Sequence, residues 1–311
     1  MRFKRTCRNH PPMPSKFRQL LRKIKARFIS TFPGRVFAKF VGKYNVWRYD
    51  LYQLKWKLQK LPYPAPEEIE NVRKNVTFIF KSFERQEMAK RLCENIQKYY
   101  PGAQVIVADD SRQPLTISTP NVQVIQLPFN SGISRGLNAA LSQVKTPYTM
   151  RLDDDILLTP FSQIGNQLIF LQTHPEITLS AVLLCNTISR KTCQATATSY
   201  FLLNQKIIKM GGMPFRIAPV DTNHYLLLKT CNTFLARTEP FRNLGYDDNI
   251  RMIDHAEFFH RAQNQFLCVM DLTACVYHYH NSFDAHYGKY RSDYYGDVIY
   301  IRQKHNRKQN N

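Results

Sequence analysis

Tyr148-Thr149-Met150-Arg151-Leu152, running straight into Asp153-Asp154-Asp155, decides the fold. A short, mostly apolar run that stops at three carboxylates reads as a buried strand whose end opens on solvent. The same grammar repeats on its N-terminal side. Val76–Phe80 is a short apolar run, and Gln104–Ala108 is another, stopping at Asp109-Asp110-Ser111. Val122–Leu127 is a third. Between them, Glu84–Tyr99 has helical spacing through Met88, Leu92, Cys93 and Ile96, and Ile133–Val144 reads as a second helix. Alternating brief strands and helices predict an α/β fold, with an open, mostly parallel sheet covered by helices on both faces. Ligands bind such sheets outside the carboxyl ends of the strands, which is where both acidic clusters fall.

Three adjacent aspartates repel one another unless something compensates. A divalent cation does so, because hard carboxylate oxygens bind Mg²⁺ or Mn²⁺, often shared with substrate phosphates. If the strand stays extended, Asp153 and Asp155 point one way and Asp154 the other. An exposed acidic turn is the plain alternative. Asp110 lies at a neighbouring strand end. Arg135 follows the Asn130-Ser131-Gly132 turn near a helix start, where backbone amides and a guanidinium suit a pyrophosphate.

Taken in order, Val76–Phe80, Ala108-Asp109-Asp110-Ser111, Asn130 to Asn138 and Arg151 to Asp155 resemble the motifs of inverting GT-A glycosyltransferases of the family-2 type. Asn232-Thr233-Phe234-Leu235-Ala236-Arg237-Thr238, Gly245-Tyr246-Asp247 and His255-Ala256-Glu257-Phe258-Phe259 are similar to the ganglioside-type β-1,4-N-acetylgalactosaminyltransferases. The resemblance covers about residues 75–280. It implies a GT-A, Rossmann-like domain that moves an N-acetylhexosamine or hexose from a UDP-sugar to a saccharide or lipid-linked acceptor, with Mn²⁺ or Mg²⁺ as cofactor. In that reading Asp110, beside Asp109, holds the uracil. Asp153 and Asp155 form a D-x-D element bridging ribose and metal, flanking Asp154, and Arg135 assists at the diphosphate. His278 or His280 completes the metal shell, unless the pair is structural. The resemblance also implies a carboxylate base, for which Glu257 is preferred, with His255 and Asp254 behind it. His255 stands where the family usually has an aspartate. Asp254 and Glu257 are three apart, so either could instead be a helix-capping acid.

Charge divides the chain unevenly. Of a net +21, residues 1–60 carry 17 Lys and Arg against the single acid Asp50. Apolar residues at Phe17, Leu20, Leu21, Ile24 and Phe28 predict a basic amphipathic helix suited to an anionic membrane surface, or one packed on its own protein. A second stripe, Phe37, Phe40, Tyr44, Trp47, Leu51, Leu54 and Leu58, is expected to dock on the main domain or form a short coiled-coil seam. Nucleic acid is not an expected partner, since no recognition motif accompanies the charge. Leu61 to Glu68 carries three alternating prolines and predicts a linker. The expected organisation is a basic helical arm over 1–60, a linker over 61–74, the transferase domain over 75–282 and an aromatic, basic tail over 283–311. Tyr287, Tyr290, Tyr294, Tyr295 and Tyr300 in that tail could stack on sugars, form a lid, or simply pack. Residues 186–229, with weak periodicity, are expected to build the acceptor site.

Seven cysteines without a C-x-x-C pair, most of them in apolar stretches, are expected to be reduced. With no spanning apolar segment and no signal-peptide core, the expected location is cytoplasmic, peripheral on the inner face of a membrane. Two other function classes fit the aspartates. One is another nucleotide-processing transferase, although no G-x-x-x-x-G-K-[ST] loop is present. The other is an inactive transferase-like adaptor that binds membrane or nucleic acid through its basic arm.

Overall fold

The computed structural model describes residues 24, 27–28, 31–61, 63–185, 218–263, 265–279, 287, 290 and 295–307. Helix α1 spans Phe32–Leu58, capped by Thr31, whose hydroxyl accepts from the Gly34 amide at 3.1 Å. Next come α2 (Pro66–Asn75), β1 (Val76–Ser82), α3 (Gln86–Tyr99), β2 (Gln104–Asp109) and β3 (Val122–Gln126). The chain continues through α4 (Ile133–Ser142), β4 (Tyr148–Arg151), β5 (Ile156–Leu157), α5 (Ile164–Thr173) and β6 (Leu179–Cys185). Beyond the undescribed stretch lie β7 (Ala218–Pro219), β8 (His224–Leu226), β9 (Phe234–Arg237), α6 (Thr238–Leu244), α7 (Asp254–Ala262), β10 (Cys268–His278) and α8 (Tyr295–Arg307).

The strands form one sheet in the order β3-β2-β1-β4-β9-β6-β10-β8-β7, with β5 on β10. Strands β3, β2, β1 and β4 are mutually parallel, as are β6 and β10. Strand β9 runs antiparallel between β4 and β6, so β4 and β6 share a direction. The α/β expectation therefore holds, and the elements foreseen before Asp153 end within two residues of their expected bounds. Alternation along β1 explains the two-sided core: Phe78 and Phe80 face one apolar cluster, and Ile79 faces the other.

The proline-rich linker is a helix from Pro66 onward. Proline at the first helical position has a preset φ and gives up an amide that would lack a partner anyway. Glu67 and Glu68 in the first turn, with Arg73 and Lys74 in the last, suit the helix dipole.

Helix α1 docks through a different face from the one expected. Tyr49 and Trp56 are buried in the main core, and Tyr49 stacks near Tyr277 at 5.4 Å. The Tyr49 hydroxyl donates to the Leu158 carbonyl at 2.5 Å and accepts from Asn95 at 2.7 Å. The stripe from Phe37 to Leu58, expected to dock, is exposed instead. A helix that buries one face leaves the opposite one outside, and the face with the better hydrogen-bonding tyrosine goes in. The first amphipathic stripe, Phe17 to Phe28, lies mostly outside the described residues.

Cys93, Cys231 and Cys268 are buried free thiols and Cys185 is buried as well, but Cys275 is disulfide-bonded. The expectation of uniformly reduced cysteines fails there, so they give no argument for a reducing compartment.

Candidate active site

Parallel strands deliver their C-terminal ends to one edge, and a cleft of about 520 Å³ opens there. Lys81, Phe83 and Arg85 reach it from the end of β1 and the loop beyond. Asp153, Asp154 and Asp155 come from beyond β4, His278 from the end of β10, and Asp254 and His255 from the start of α7.

The three aspartates do not alternate as an extended strand would require. Strand β4 stops at Arg151 and the chain turns, with the Ile156 amide donating to the Asp153 carbonyl at 3.1 Å. All three therefore line the cleft. Arg85 Nε donates to Asp154 at 3.1 Å and a second guanidinium nitrogen also meets that carboxylate, while Nη1 lies 3.4 Å from Asp155. Burial lifts the Asp154 carboxyl to about 6 even with Arg85 beside it. Asp155 faces His278, whose Nε2 is 3.6 Å away. Against the effect of burial, that carboxylate raises the His278 pKa above its ordinary value. Asp153 is the most exposed of the three and accepts from Arg151 at 2.7 Å. His280 lies outside the described residues.

Among the described residues, no three acidic, histidine or cysteine side chains gather into a cage that would hold a cation unaided. Two carboxylates with an imidazole edge suit a different arrangement, a hard cation that completes its shell with substrate phosphate oxygens. The donor chemistry fits Mn²⁺ or Mg²⁺ on those terms.

Arg151 is the hub of the cleft floor. It is fully buried, and it pairs with Asp153 on one side and lies 3.9 Å from Asp254 on the other. Asp254 is the first residue of α7, buried at the cleft wall. His255 stands beside it, its Nδ1 against Asn232. Burial, then Lys229 and Arg151, hold the His255 pKa well below its usual value, so the ring is neutral at pH 7.

Glu257 does not reach the cleft. Its Oε1 accepts from Arg261 at 2.7 Å and from Lys304 of α8 at 2.6 Å. Although burial opposes it, those two hydrogen bonds keep the carboxyl below its ordinary range. One turn of helix carries position 257 behind position 254, and α8 supplies the cation that holds it there.

Asp109 and Asp110 also turn inward. Asp109 accepts from the Ser111 hydroxyl at 2.6 Å and the Leu115 amide at 2.8 Å, shaping its own loop. Asp110 binds Lys81 at 2.6 Å and the Gly132 amide at 3.0 Å. Burial raises the Asp110 pKa and lowers that of Lys81, each against the pull of the other. Gly132 has φ +98°, and an added Cβ would lie 2.9 Å from the Arg251 backbone. The Ile133 amide donates to the Arg251 carbonyl at 3.0 Å. These first amides of α4 are therefore engaged within the protein, and Arg135 points away from the cleft to the Asp248 carbonyl at 3.2 Å.

The cleft's cations are others: Lys81, Arg85, Lys229 and Arg251. Arg85 had a readable signal, since it follows a strand end at the ligand edge. Arg251 had none. Its loop is pinned from afar by Asp297, which accepts from the amides of Arg251, Met252 and Ile253 at 3.2, 2.7 and 3.1 Å. The tail contributes Tyr287, over which Arg85 stacks at 3.9 Å, and Tyr290, packed on Phe83 at 5.1 Å.

Residues 77–219 match the family model described as Glycosyl transferase family 2. Among curated proteins, beta-1,4 N-acetylgalactosaminyltransferase 2 of Mus musculus is 32% identical over 203 residues, 64% of this chain and 38% of that protein. Beta-1,4 N-acetylgalactosaminyltransferase 1 of Mus musculus is 30% identical over 212 residues, with the same coverage of 64% and 38%. The chain thus spans well under half the length of these relatives. Among solved structures, a mannosyltransferase from Pyrobaculum calidifontis in complex with GDP-Man and Mn²⁺ shares the fold. Its TM-score is 0.50 at 15% identity, covering 86% of this chain and 76% of that one.

Proposed function

We propose that the chain, whose residues 77–219 match the glycosyl transferase family 2 model, moves an N-acetylhexosamine or hexose from a UDP-sugar to a saccharide or glycolipid acceptor, inverting the anomeric centre. The observation that carries this reading is the Asp153–Arg151–Asp254 line across the cleft floor, a donor-side carboxylate and a candidate base tied to one buried guanidinium. The similarity to beta-1,4 N-acetylgalactosaminyltransferases favours an N-acetylhexosamine donor.

Asp254 is the base. Its carboxylate takes the proton of the acceptor hydroxyl as that oxygen bonds to the anomeric carbon. On the opposite face the bond from carbon to the diphosphate oxygen breaks, and UDP leaves with the electron pair. Arg151 fixes the direction of Asp254 and spreads its charge. Neutral His255 adds no competing positive charge beside the base. Asp153, Asp155 and His278 would hold the divalent cation, which supplies Lewis-acid neutralisation of the diphosphate. Arg85, already paired with Asp154 and Asp155, can exchange part of that pairing for phosphate oxygens, since a guanidinium fork suits either anion. Tyr287, stacked on Arg85, keeps water from that side of the donor.

The test is a transfer assay with UDP-N-acetylgalactosamine, UDP-N-acetylglucosamine and UDP-hexoses, with and without Mn²⁺. Asp254→Asn is expected to lower kcat by about 10²–10⁴-fold while UDP still raises the melting temperature. Full turnover in Asp254→Asn, or no UDP response in the native protein, would overturn the reading.

A further inference from the structure

Among the described residues, the body of the protein packs on only one of the two opposite faces of helix α1, with Phe28 against Phe37 at the start of the other. At about 100° per residue, Ala38, Tyr49, Tyr52 and Trp56 share the face turned to the core. The opposite face carries Phe32, Val36, Phe37, Phe40, Tyr44, Trp47, Leu51, Leu54 and Leu58, every one of them exposed. Phe40 is 65% exposed, Trp47 55%, Leu54 55% and Leu58 75%. At 1.5 Å per residue this stripe is about 40 Å long. An apolar strip of that length on a soluble surface calls for a partner.

The rims of the strip identify that partner. Lys39, Lys43 and Lys57 follow one edge and Arg48 and Lys55 the other, and Asp50 is the helix's only acid. A second copy of the chain fits poorly, because paired stripes would bring like-charged rims together with only Asp50, already paired with Arg91, to answer them. Nucleic acid answers the rims but leaves the apolar centre unsatisfied. A bilayer with anionic headgroups answers both, taking the aromatic and leucine side chains into its interface while phosphates meet the lysines.

We propose that the outward face of α1 is a docking surface for an anionic lipid membrane. No helix among the described residues is long and apolar enough to cross one, so the helix lies along the surface. The docking bears on the cleft through Tyr277. That residue packs on Tyr49 and Tyr52, donates its hydroxyl to the Asn45 carbonyl at 3.1 Å, and precedes His278 at the cleft. A membrane-bound α1 therefore sets the cleft at a fixed distance from the lipid headgroups. An acceptor carried on a lipid would meet it there.

The full chain is to be sedimented with vesicles of phosphatidylcholine alone and of phosphatidylcholine mixed with phosphatidylglycerol, at low and high salt. Binding is expected to be at least about tenfold tighter to the anionic vesicles and weakened by salt. Trp47 is one of only two tryptophans, and Trp56 is buried. On binding, Trp47 should shift its emission to the blue and be quenched by brominated acyl chains. The triple variant Phe40→Ser, Trp47→Ser, Leu54→Ser should lose binding at least about tenfold with an unchanged melting temperature, since none of the three is buried. Three outcomes overturn the proposal: equal binding to neutral vesicles, undiminished binding by the triple variant, or concentration-dependent dimerisation that this variant abolishes in place of lipid binding. No step of the test uses donor or acceptor, so it stands or falls apart from the transfer reaction.

Discussion

The acids after β2 and the acids after β4 are alike as strings, carboxylates stacked at the end of a buried strand, yet they end in different positions. Asp109 and Asp110 are used up inside the protein, one organising its own loop and the other joining Lys81 to Gly132. Asp153, Asp154 and Asp155 face the cleft, meeting Arg85 and His278 there. The difference comes from what neighbouring elements bring. Strand β1 supplies Lys81 directly beneath Asp110, and the α4 turn closes over it. Among the described residues none closes over Asp153, whose carboxylate remains partly exposed. Position at a strand end marks where chemistry can occur, and the surrounding cations decide whether a carboxylate is free to do it.

The comparison breaks most directly by substitution. Removing one partner of a buried pair strands the other, so Asp110→Ala is expected to destabilise the fold by about 3–5 kcal/mol, seen as a drop in the urea midpoint. Asp153→Asn should move that midpoint less, because its side chain is partly exposed and Arg151 keeps Asp254 within 3.9 Å, while lowering turnover by about 10²-fold or more and removing the metal-dependent response to UDP. Equal stability losses in the two variants would erase the distinction. Helix α7 offers the same contrast at shorter range. Glu257→Gln should cost about 1–3 kcal/mol of stability through Arg261 and Lys304, with kcat per folded molecule largely kept, whereas Asp254→Asn loses kcat. A pH-jump or single-turnover assay on folded enzyme separates the two.

Gly132→Ala should destabilise by about 1–3 kcal/mol, because a positive φ and the nearby Arg251 backbone both resist a Cβ. Weakened UDP binding should accompany it, since Arg251 lines the cleft. The smallest expected effect is on acid stability. Against burial, Lys304 and its neighbours lower the Asp247 carboxyl from 3.8 to about 2. A depressed carboxylate contributes stability that is present above its unfolded pKa and lost as pH falls through the folded one. Asp247→Asn should therefore lower the melting temperature modestly at pH 7 and flatten its fall between about pH 4 and pH 2, the two proteins converging at the acid end. An unchanged acid limb would show that Lys304 owes its position to Glu257 alone.

Much of the sheet was legible because buried parallel strands are short apolar runs, and their ends drew attention to Asp153–Asp155. Arg85 was readable by the same rule and was passed over. Arg135 turns to the Asp248 carbonyl, because a place near a helix start says nothing about which way a side chain leaves the helix. The position of Glu257 was not legible for a related reason: Lys304, which holds it, lies 47 residues away on α8. The linker reading of 61–74 gave proline only its helix-breaking role and missed Pro66 as a helix opener. In α1 the hydrophobic period was read correctly, but period alone does not say which of two apolar faces goes inward.

The amino-acid sequence by itself determined the strand–helix alternation, the ligand edge and the acidic groups along it, because these follow from local burial patterns and chain direction. Only the tertiary structure decided which carboxylates stay available and which face of α1 remains outside. A charge in a low-dielectric interior answers chiefly to the nearest opposite charge, and here those charges come from elements far apart in the chain.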